Sequence, residues 1–257
     1  MGTLLLVIAA NLASTAVSLT LAGLLSFRWL ANLVDRLVHV SIGLLLATAL
    51  VHLLPEALTG GLAPVTLGWT VLAGILGLFV LEKLTLLHHT HHHEGDGHAH
   101  THGHDAQEVG RGAYPILVAD ALHNFTDGVV IAAAFLVDAR AGLLTALAVL
   151  AHEIPHEIGD FMILLNAGFS RRRSFLFMVL SGSAAVVGGI AGYFVLASAQ
   201  AVLPYALAIA AASFIYIALS DLLPELMRRS SLRQSAPEVG FVFLGVAIAL
   251  LAMGIDA

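Results

Sequence analysis

Two short stretches of the sequence concentrate residue types that bind metal ions. "DALHNFTDG" supplies Asp120, His123, Asn124 and Asp127, and "HEIPHEIGD" supplies His152, Glu153, His156, Glu157 and Asp160. Imidazole, carboxylate and amide donors together suit a borderline divalent ion such as Zn²⁺, and they also tolerate Cd²⁺, Fe²⁺, Mn²⁺ or Co²⁺. The two stretches therefore predict a site for a divalent metal ion.

The elements that carry these stretches must lie in a membrane. The chain has 257 residues, of which 59% are hydrophobic and 11% charged, whereas soluble domains have about 25% charged residues. We expect an all-α integral membrane protein with one polytopic domain over residues 1–257. The chain has no cysteine, which excludes disulfides and thiolate ligands. It also has no basic patch that would indicate a nucleic-acid partner.

Eight apolar segments predict eight transmembrane helices. About 20 residues cross a hydrocarbon core of about 30 Å, and segments of this length favour helices over barrel strands. The first apolar segment has no basic leader or clear cleavage site, so we expect a retained helix. The predicted helices 1 to 8 cover residues 3–27, 37–58, 66–88, 113–137, 142–166, 174–198, 203–226 and 238–255.

Basic residues predict the orientation of the helices. Of the 11 Lys and Arg residues, ten lie in or flank the first, third, fifth and seventh connections, and only Arg140 lies in another connection. Because positive residues accumulate on the cytoplasmic side, both termini should be extracytoplasmic. The short connections and the Ala- and Leu-rich composition favour a bacterial inner (plasma) membrane.

The metal-binding residue types lie near the middle of helices 4 and 5, where a carboxylate costs about 2.5–3.5 kcal/mol. At helical spacing they form one polar stripe on each helix. Because the connection between them is short, we expect the two helices to be antiparallel neighbours whose stripes form a central metal site. Pro155 lacks a backbone donor and should free the carbonyl of Ala151 beside this site. Asp120 and Asp160 are assigned to the ion pathway.

A repeated motif predicts an inverted-repeat bundle. "HLLPEAL" (52–58) ends helix 2 and "SDLLPELM" (220–227) ends helix 7, and these two helices should run in opposite directions. Inverted repeats are typical of alternating-access transporters with a site at the membrane midplane. We then expect His52 and Glu56 in the outer vestibule, and Asp221 and Glu225 in the inner one. Alternatively, these are interfacial side chains beside a helix-ending proline.

A histidine-rich segment lies on the predicted cytoplasmic side, in a loop over residues 88–112. Its Gly-rich, low-complexity composition predicts disorder. Its internal position and irregular spacing distinguish it from an expression tag, and we expect it to capture metal. The nine histidines are His88, His89, His91, His92, His93, His98, His100, His102 and His104.

With these motifs, the chain resembles the ZIP (Zrt/Irt-like) divalent metal transporters, in the branch with a histidine-rich loop and an HExPHE motif. The matching stretches are "HNFTDG", "HEIPHEIGDF", "HLLPEA" and "FIYIALSDLLPEL". The resemblance implies transport of metal, most plausibly zinc, into the cytoplasm, and a homodimer.

By the same resemblance, a primary metal site uses His123, Asp127, His152 and Glu153. An adjoining site uses Asn124, Glu153, His156 and Glu157. Some relatives add a glutamate from helix 6, whereas this chain has no ionisable residue between Arg173 and Pro204. We therefore expect the adjoining site to be weaker or absent.

The alternative function is an intramembrane zinc metalloprotease. His152-Glu153-x-x-His156 matches the zinc-protease signature, in which both histidines bind zinc and the glutamate activates water. Such an enzyme needs a third ligand, which Asp127 could provide, and it leaves His123 without a role. We therefore favour a transporter, which is not an enzyme.

Overall fold

The computed structural model describes residues 2–25, 31–90, 106–222 and 232–254. These residues are all-helical, with short turns between the helices. Two π-helical segments, Thr48–Leu53 and Ala218–Leu222, follow α2 and α8. The α-helices are α1 (Gly2–Leu25), α2 (Ala31–Ala47), α3 (Leu54–Thr59), α4 (Pro64–Thr90), α5 (Ala106–Val137), α6 (Ala139–Asn166), α7 (Arg171–Ser198), α8 (Leu203–Ile217) and α9 (Leu232–Met253).

Among the described residues, seven segments are long and apolar enough to cross a membrane. The predicted eight are therefore not all recovered, and the segment missing is α6, which corresponds to predicted helix 5. It is a continuous helix of 28 residues. Its histidines and carboxylates lower its mean hydropathy, so composition alone does not identify it as a membrane span.

The helices on either side of the predicted loop at 88–112 extend into its predicted range. α4 continues to Thr90 and α5 begins at Ala106, because helical hydrogen bonding propagates beyond the apolar run. His88 and His89 therefore belong to the last turn of α4. The other seven histidines predicted to capture metal, and Glu225 of the predicted inner vestibule, lie outside the described residues.

The helices pack in two sets. α1, α5, α6 and α7 contact one another, while α2, α4, α8 and α9 pair mainly as α2 with α9 and α4 with α8. The sets meet where α6 contacts α2 and where α5 contacts α8. The metal-binding residue types therefore belong to one set, close to its boundary with the other.

Glycines allow close approach of helices within each set. A Cβ added at Gly128 of α5 or Gly188 of α7 would meet the backbone of the facing helix, and the same holds for Gly43 of α2 and Gly245 of α9. Small residues at such crossings let membrane helices pack without a bulky layer between them. The contacts at Gly128 and Gly188 fix α5 against α7, and α5 carries part of the candidate site.

Both copies of the Leu-Leu-Pro-Glu motif follow a π-helical segment. Thr48–Leu53 leads into the first copy and Ala218–Leu222 into the second. A proline cannot donate to the preceding turn, and π-helical turns occur mostly as short interruptions inside α-helices. The shared distortion is consistent with a structural repeat, which stays a prediction.

Candidate metal centre

Four side chains from α5 and α6 converge on one point. Nε2 of His123 lies 3.2 Å from Oε1 of Glu153, and Nε2 of His152 lies 3.0 Å from Oδ2 of Asp127. The four ligand atoms all lie within 4.8 Å of one another. We call His123, Asp127, His152 and Glu153 the first cluster, and these are the residues predicted for the primary site.

The short connection between the helices explains why these side chains face each other. Only Asp138 separates α5 from α6, and its carboxylate accepts a hydrogen bond from the backbone N–H of Ala141 at 2.8 Å. This N-cap satisfies a donor in the first turn of α6 and starts the helix immediately after the turn. The two helices contact each other, so their polar stripes meet as predicted.

The ligand atoms of the first cluster are buried and, apart from their contacts with one another, have no partner within the described part of the chain. The side chains of Asp127 and His152 are 1% and 2% exposed, and that of His123 is 25% exposed. Outside the cluster, both oxygens of Asp127, Nε2 of His123 and His152, and Oε1 of Glu153 make no hydrogen bond there. Burying such groups without compensation is costly. A divalent cation between them would compensate both the charge and the lost hydration, so the donor set fits the metal.

A hydrogen bond fixes the orientation of the His152 ring. Its Nδ1 lies 3.1 Å from the carbonyl oxygen of Ala148, one turn earlier in α6. Because a carbonyl only accepts, Nδ1 carries the proton and Nε2 presents its lone pair to the first cluster. Metal-binding histidines are commonly held in this way by their second nitrogen.

A second group of metal-binding side chains adjoins the first. Nδ1 of His156 lies 3.8 Å from Oδ1 of Asp120 and 3.7 Å from Oδ2 of Asp160. We call Asp120, His156 and Asp160 the second cluster. The rings of His123 and His156 lie 5.2 Å apart between centroids, so the two clusters are neighbours.

The remaining residues of the predicted adjoining site have other surroundings. The amide nitrogen of Asn124 donates to Oδ1 of Asp120 at 2.8 Å. Glu157 is fully buried, and its Oε1 lies near Gly182 of α7. Among the described residues, Glu157 belongs to neither cluster. His156 lies with Asp120 and Asp160 in the second cluster. Asp160 follows His156 by one turn on α6.

The residues predicted to line the vestibules lie elsewhere. His52 belongs to the first π-helical segment and Glu56 to α3, and both are half-buried. Asp221 belongs to the second π-helical segment. Of the residues described, His52 and Glu56 are not members of either cluster. The place of all three residues in an ion pathway stays a prediction.

The sequence reasoning missed buried polar residues on the helix set formed by α2, α4, α8 and α9. They include His39 and Ser41 of α2 and Glu238 of α9. Single polar residues in apolar spans are weak signals. The sequence did offer one signal for a residue such as Ser41. Pro155 frees the carbonyl of Ala151, and a buried carbonyl requires a hydrogen-bond donor from elsewhere.

The arrangement does not support the zinc-protease alternative. That mechanism requires His152 and His156 to bind one ion. In the structure His152 belongs to the first cluster and His156 to the second.

Comparisons with known proteins agree on one family. A family model described as "ZIP Zinc transporter" matches residues 87–253. Zinc transporter ZIP6 from Homo sapiens is 38% identical over 143 residues, which is 56% of this chain and 19% of that protein. Zinc transporter zipt-7.2 from Caenorhabditis elegans is 38% identical over 155 residues, covering 57% of this chain and 33% of the relative. Zinc transporter ZIP13 from Pongo abelii is 32% identical over 235 residues, which is 84% of this chain and 66% of that protein.

Proposed function

Since the chain belongs to the ZIP zinc transporter family, we propose that it carries a divalent metal ion, zinc above all, into the cytoplasm by way of the first cluster. The observation that carries this proposal is the convergence of four buried ligand atoms from α5 and α6 that make no hydrogen bond outside the cluster among the described residues. Cd²⁺, Fe²⁺, Mn²⁺ and Co²⁺ share enough of the ligand preference of zinc to be further substrates.

The donor set suits a substrate ion that must be released. Two imidazoles and two carboxylates can replace the water lost by Zn²⁺ and balance its charge. All four ligands come from two adjacent helices. A small change in the separation of α5 and α6 would therefore open the coordination sphere.

In this proposal the chain crosses the membrane eight times, with α6 as the span that composition does not identify. α6 packs against α1, α2, α5 and α7. Polar residues in membrane helices characteristically face the interior of the bundle. The two helix sets move relative to each other and expose the first cluster to one side at a time.

The path of the ion follows the predicted orientation. His52 and Glu56 line the outer vestibule, Asp221 and Glu225 the inner one, and the histidine-rich segment captures the released ion in the cytoplasm. Both termini are then extracytoplasmic. The membrane is a bacterial inner membrane by composition, and the protein forms a homodimer by analogy with the family.

Transport into liposomes tests the proposed function. Purified protein should carry Zn²⁺ across the bilayer to an enclosed fluorescent indicator, and His152→Ala should abolish this flux. Thr126→Ala is the control, because Thr126 of α5 is half-buried, belongs to neither cluster and donates its hydroxyl within its own helix, to the carbonyl of Leu122 at 2.9 Å. Peptide cleavage without ion flux would instead support the protease.

A further inference from the structure

We propose that Ser41 of α2 is a latch between the two helix sets, that is, a contact that holds them together beside the first cluster and is released when water enters there. This inference rests on the proposed function, since it takes the relative movement of the sets as the step that exposes the ion. Ser41 is not a ligand of the ion. It is a positioning residue, which acts through the backbone of α6.

The hydroxyl of Ser41 lies between two carbonyl oxygens on different helices. Its oxygen is 2.6 Å from the carbonyl oxygen of Ala151 in α6 and 2.7 Å from that of Leu37 in α2. Both distances are those of good O–H···O hydrogen bonds, but a hydroxyl has one proton to donate. Ser41 is fully buried. The hydroxyl can therefore turn from one carbonyl to the other without losing a partner.

The two carbonyls differ in what they lose when the sets separate. Leu37 and Ser41 belong to the same α-helix, in which the backbone N–H of Ser41 also bonds the Leu37 carbonyl. The carbonyl of Ala151 instead faces Pro155 four residues later in α6, which has no N–H. Ala151 therefore depends on a donor from outside its helix. When Ser41 leaves, only water can replace that donor without an energetic penalty.

The latch lies next to an ion ligand. Ala151 directly precedes His152, whose Nδ1 lies 3.1 Å from the carbonyl oxygen of Ala148. The His152 ring also meets the other helix set, since its centroid is 6.3 Å from that of Phe214 in α8. Water that replaces Ser41 at Ala151 thus arrives beside the first cluster. The separation of the helix sets and the hydration of the ion are coupled in this way.

Thiol labelling tests the latch, because the chain has no cysteine of its own. Leu45→Cys places a single reporter on α2, where Leu45 is fully buried one turn after Ser41 and hence on the face towards α6. The full-length protein in liposomes is treated with a water-soluble maleimide well below its melting temperature. In this background Ser41→Ala should accelerate labelling at least about fivefold, the smallest effect expected when a buried carbonyl loses its donor.

Ala22→Cys is the matched reporter inside one helix set. Ala22 of α1 is buried in a cluster with Phe161 of α6 and Met178 of α7, so a reagent reaches position 22 only if this set itself loosens. Ser41→Ala should leave the labelling rate at position 22 unchanged. Equal acceleration at positions 22 and 45, or no acceleration at position 45, would overturn the latch.

Pro155→Ala tests the same contact without leaving a carbonyl unbonded. It supplies an N–H that bonds the Ala151 carbonyl within α6, so the sets can separate without water at Ala151. Pro155→Ala alone should therefore accelerate labelling at position 45, and adding Ser41→Ala should accelerate it no further. If Ser41→Ala has its full effect in this background, Ser41 does not act through Ala151 and the proposal fails. If labelling behaves as expected but the parent carries no Zn²⁺ into liposomes, the latch stands and the transport function fails.

Discussion

The hydroxyl oxygen of Ser41 in α2 lies 2.6 Å from the carbonyl oxygen of Ala151 in α6. In a regular helix the backbone N–H four residues later would bond this carbonyl, but that residue is Pro155, which has none. The Ser41 hydroxyl takes over as donor, although it also lies 2.7 Å from the carbonyl oxygen of Leu37 and has a single proton to share. The bond joins the two helix sets next to His152 of the first cluster.

Removing this donor should weaken the contact between the helix sets. Ser41→Ala leaves the Ala151 carbonyl without its donor from α2, and such a loss costs about 1–3 kcal/mol. We expect a lower melting temperature in detergent. Ser183→Ala is the control, because that hydroxyl is exposed and bonds within its own helix, to Leu180 at 2.6 Å. Equal melting temperatures for the two variants would contradict the assigned role of Ser41.

Restoring the missing backbone donor should make Ser41 dispensable. Pro155→Ala supplies an N–H that can bond the Ala151 carbonyl within α6. In this background Ser41→Ala should therefore cost less than it does in the parent protein. A double-mutant cycle on the free energy of unfolding measures this coupling, which should be at least about 0.5 kcal/mol. Strictly additive effects would show that the two residues act independently.

The crossing of α5 and α7 should not tolerate a side chain on Gly188. A Cβ there would meet the backbone of Phe125, and backbone cannot move aside as a flexible side chain can. Gly188→Val should cost at least the 1–3 kcal/mol typical of overpacking, and we expect a lower yield of folded protein and a lower melting temperature. Gly77→Val on α4 is the control, since a Cβ there meets nothing within 4 Å. The crossing is not tight if both variants melt alike.

Zinc should stabilise the folded protein through the first cluster. A ligand at 100 times its dissociation constant adds about 2.7 kcal/mol when it binds only the folded state. We expect Zn²⁺ to raise the melting temperature of the parent protein. In Asp127→Asn, which lacks one charged ligand, the increase should be much smaller. The histidine-rich segment should contribute little, because it can bind zinc in the unfolded chain as well. An undiminished increase in Asp127→Asn would exclude Asp127 as a ligand.

The pairing of α5 with α6 could be predicted because it depends on local features. Helical spacing aligned His123 with Asp127, and the short connection at Asp138 made the two stripes face each other. Composition also predicted the other membrane spans. α6 also lies where helix 5 was predicted, but the residues that form the site lower its hydropathy, so its crossing of the membrane stays a prediction.

The features of the fold and the site that could not be predicted depend on contacts between segments that are distant in the sequence. The grouping of His156 with Asp120 depends on the register of α5 against α6, which helical spacing leaves open by one turn. The Ser41 hydrogen bond depends on which helix lies opposite Pro155. The close approach at Gly188 depends on a crossing with Phe125 that no local pattern encodes.

The most direct test of the central claim is to locate the metal ion. Crystals of the parent protein grown with Cd²⁺ should give an anomalous difference peak bounded by Nε2 of His123, Oδ2 of Asp127, Nε2 of His152 and Oε1 of Glu153, and His152→Ala should lose it. Peaks confined to other parts of the molecule, with these four atoms free of metal, would contradict the account.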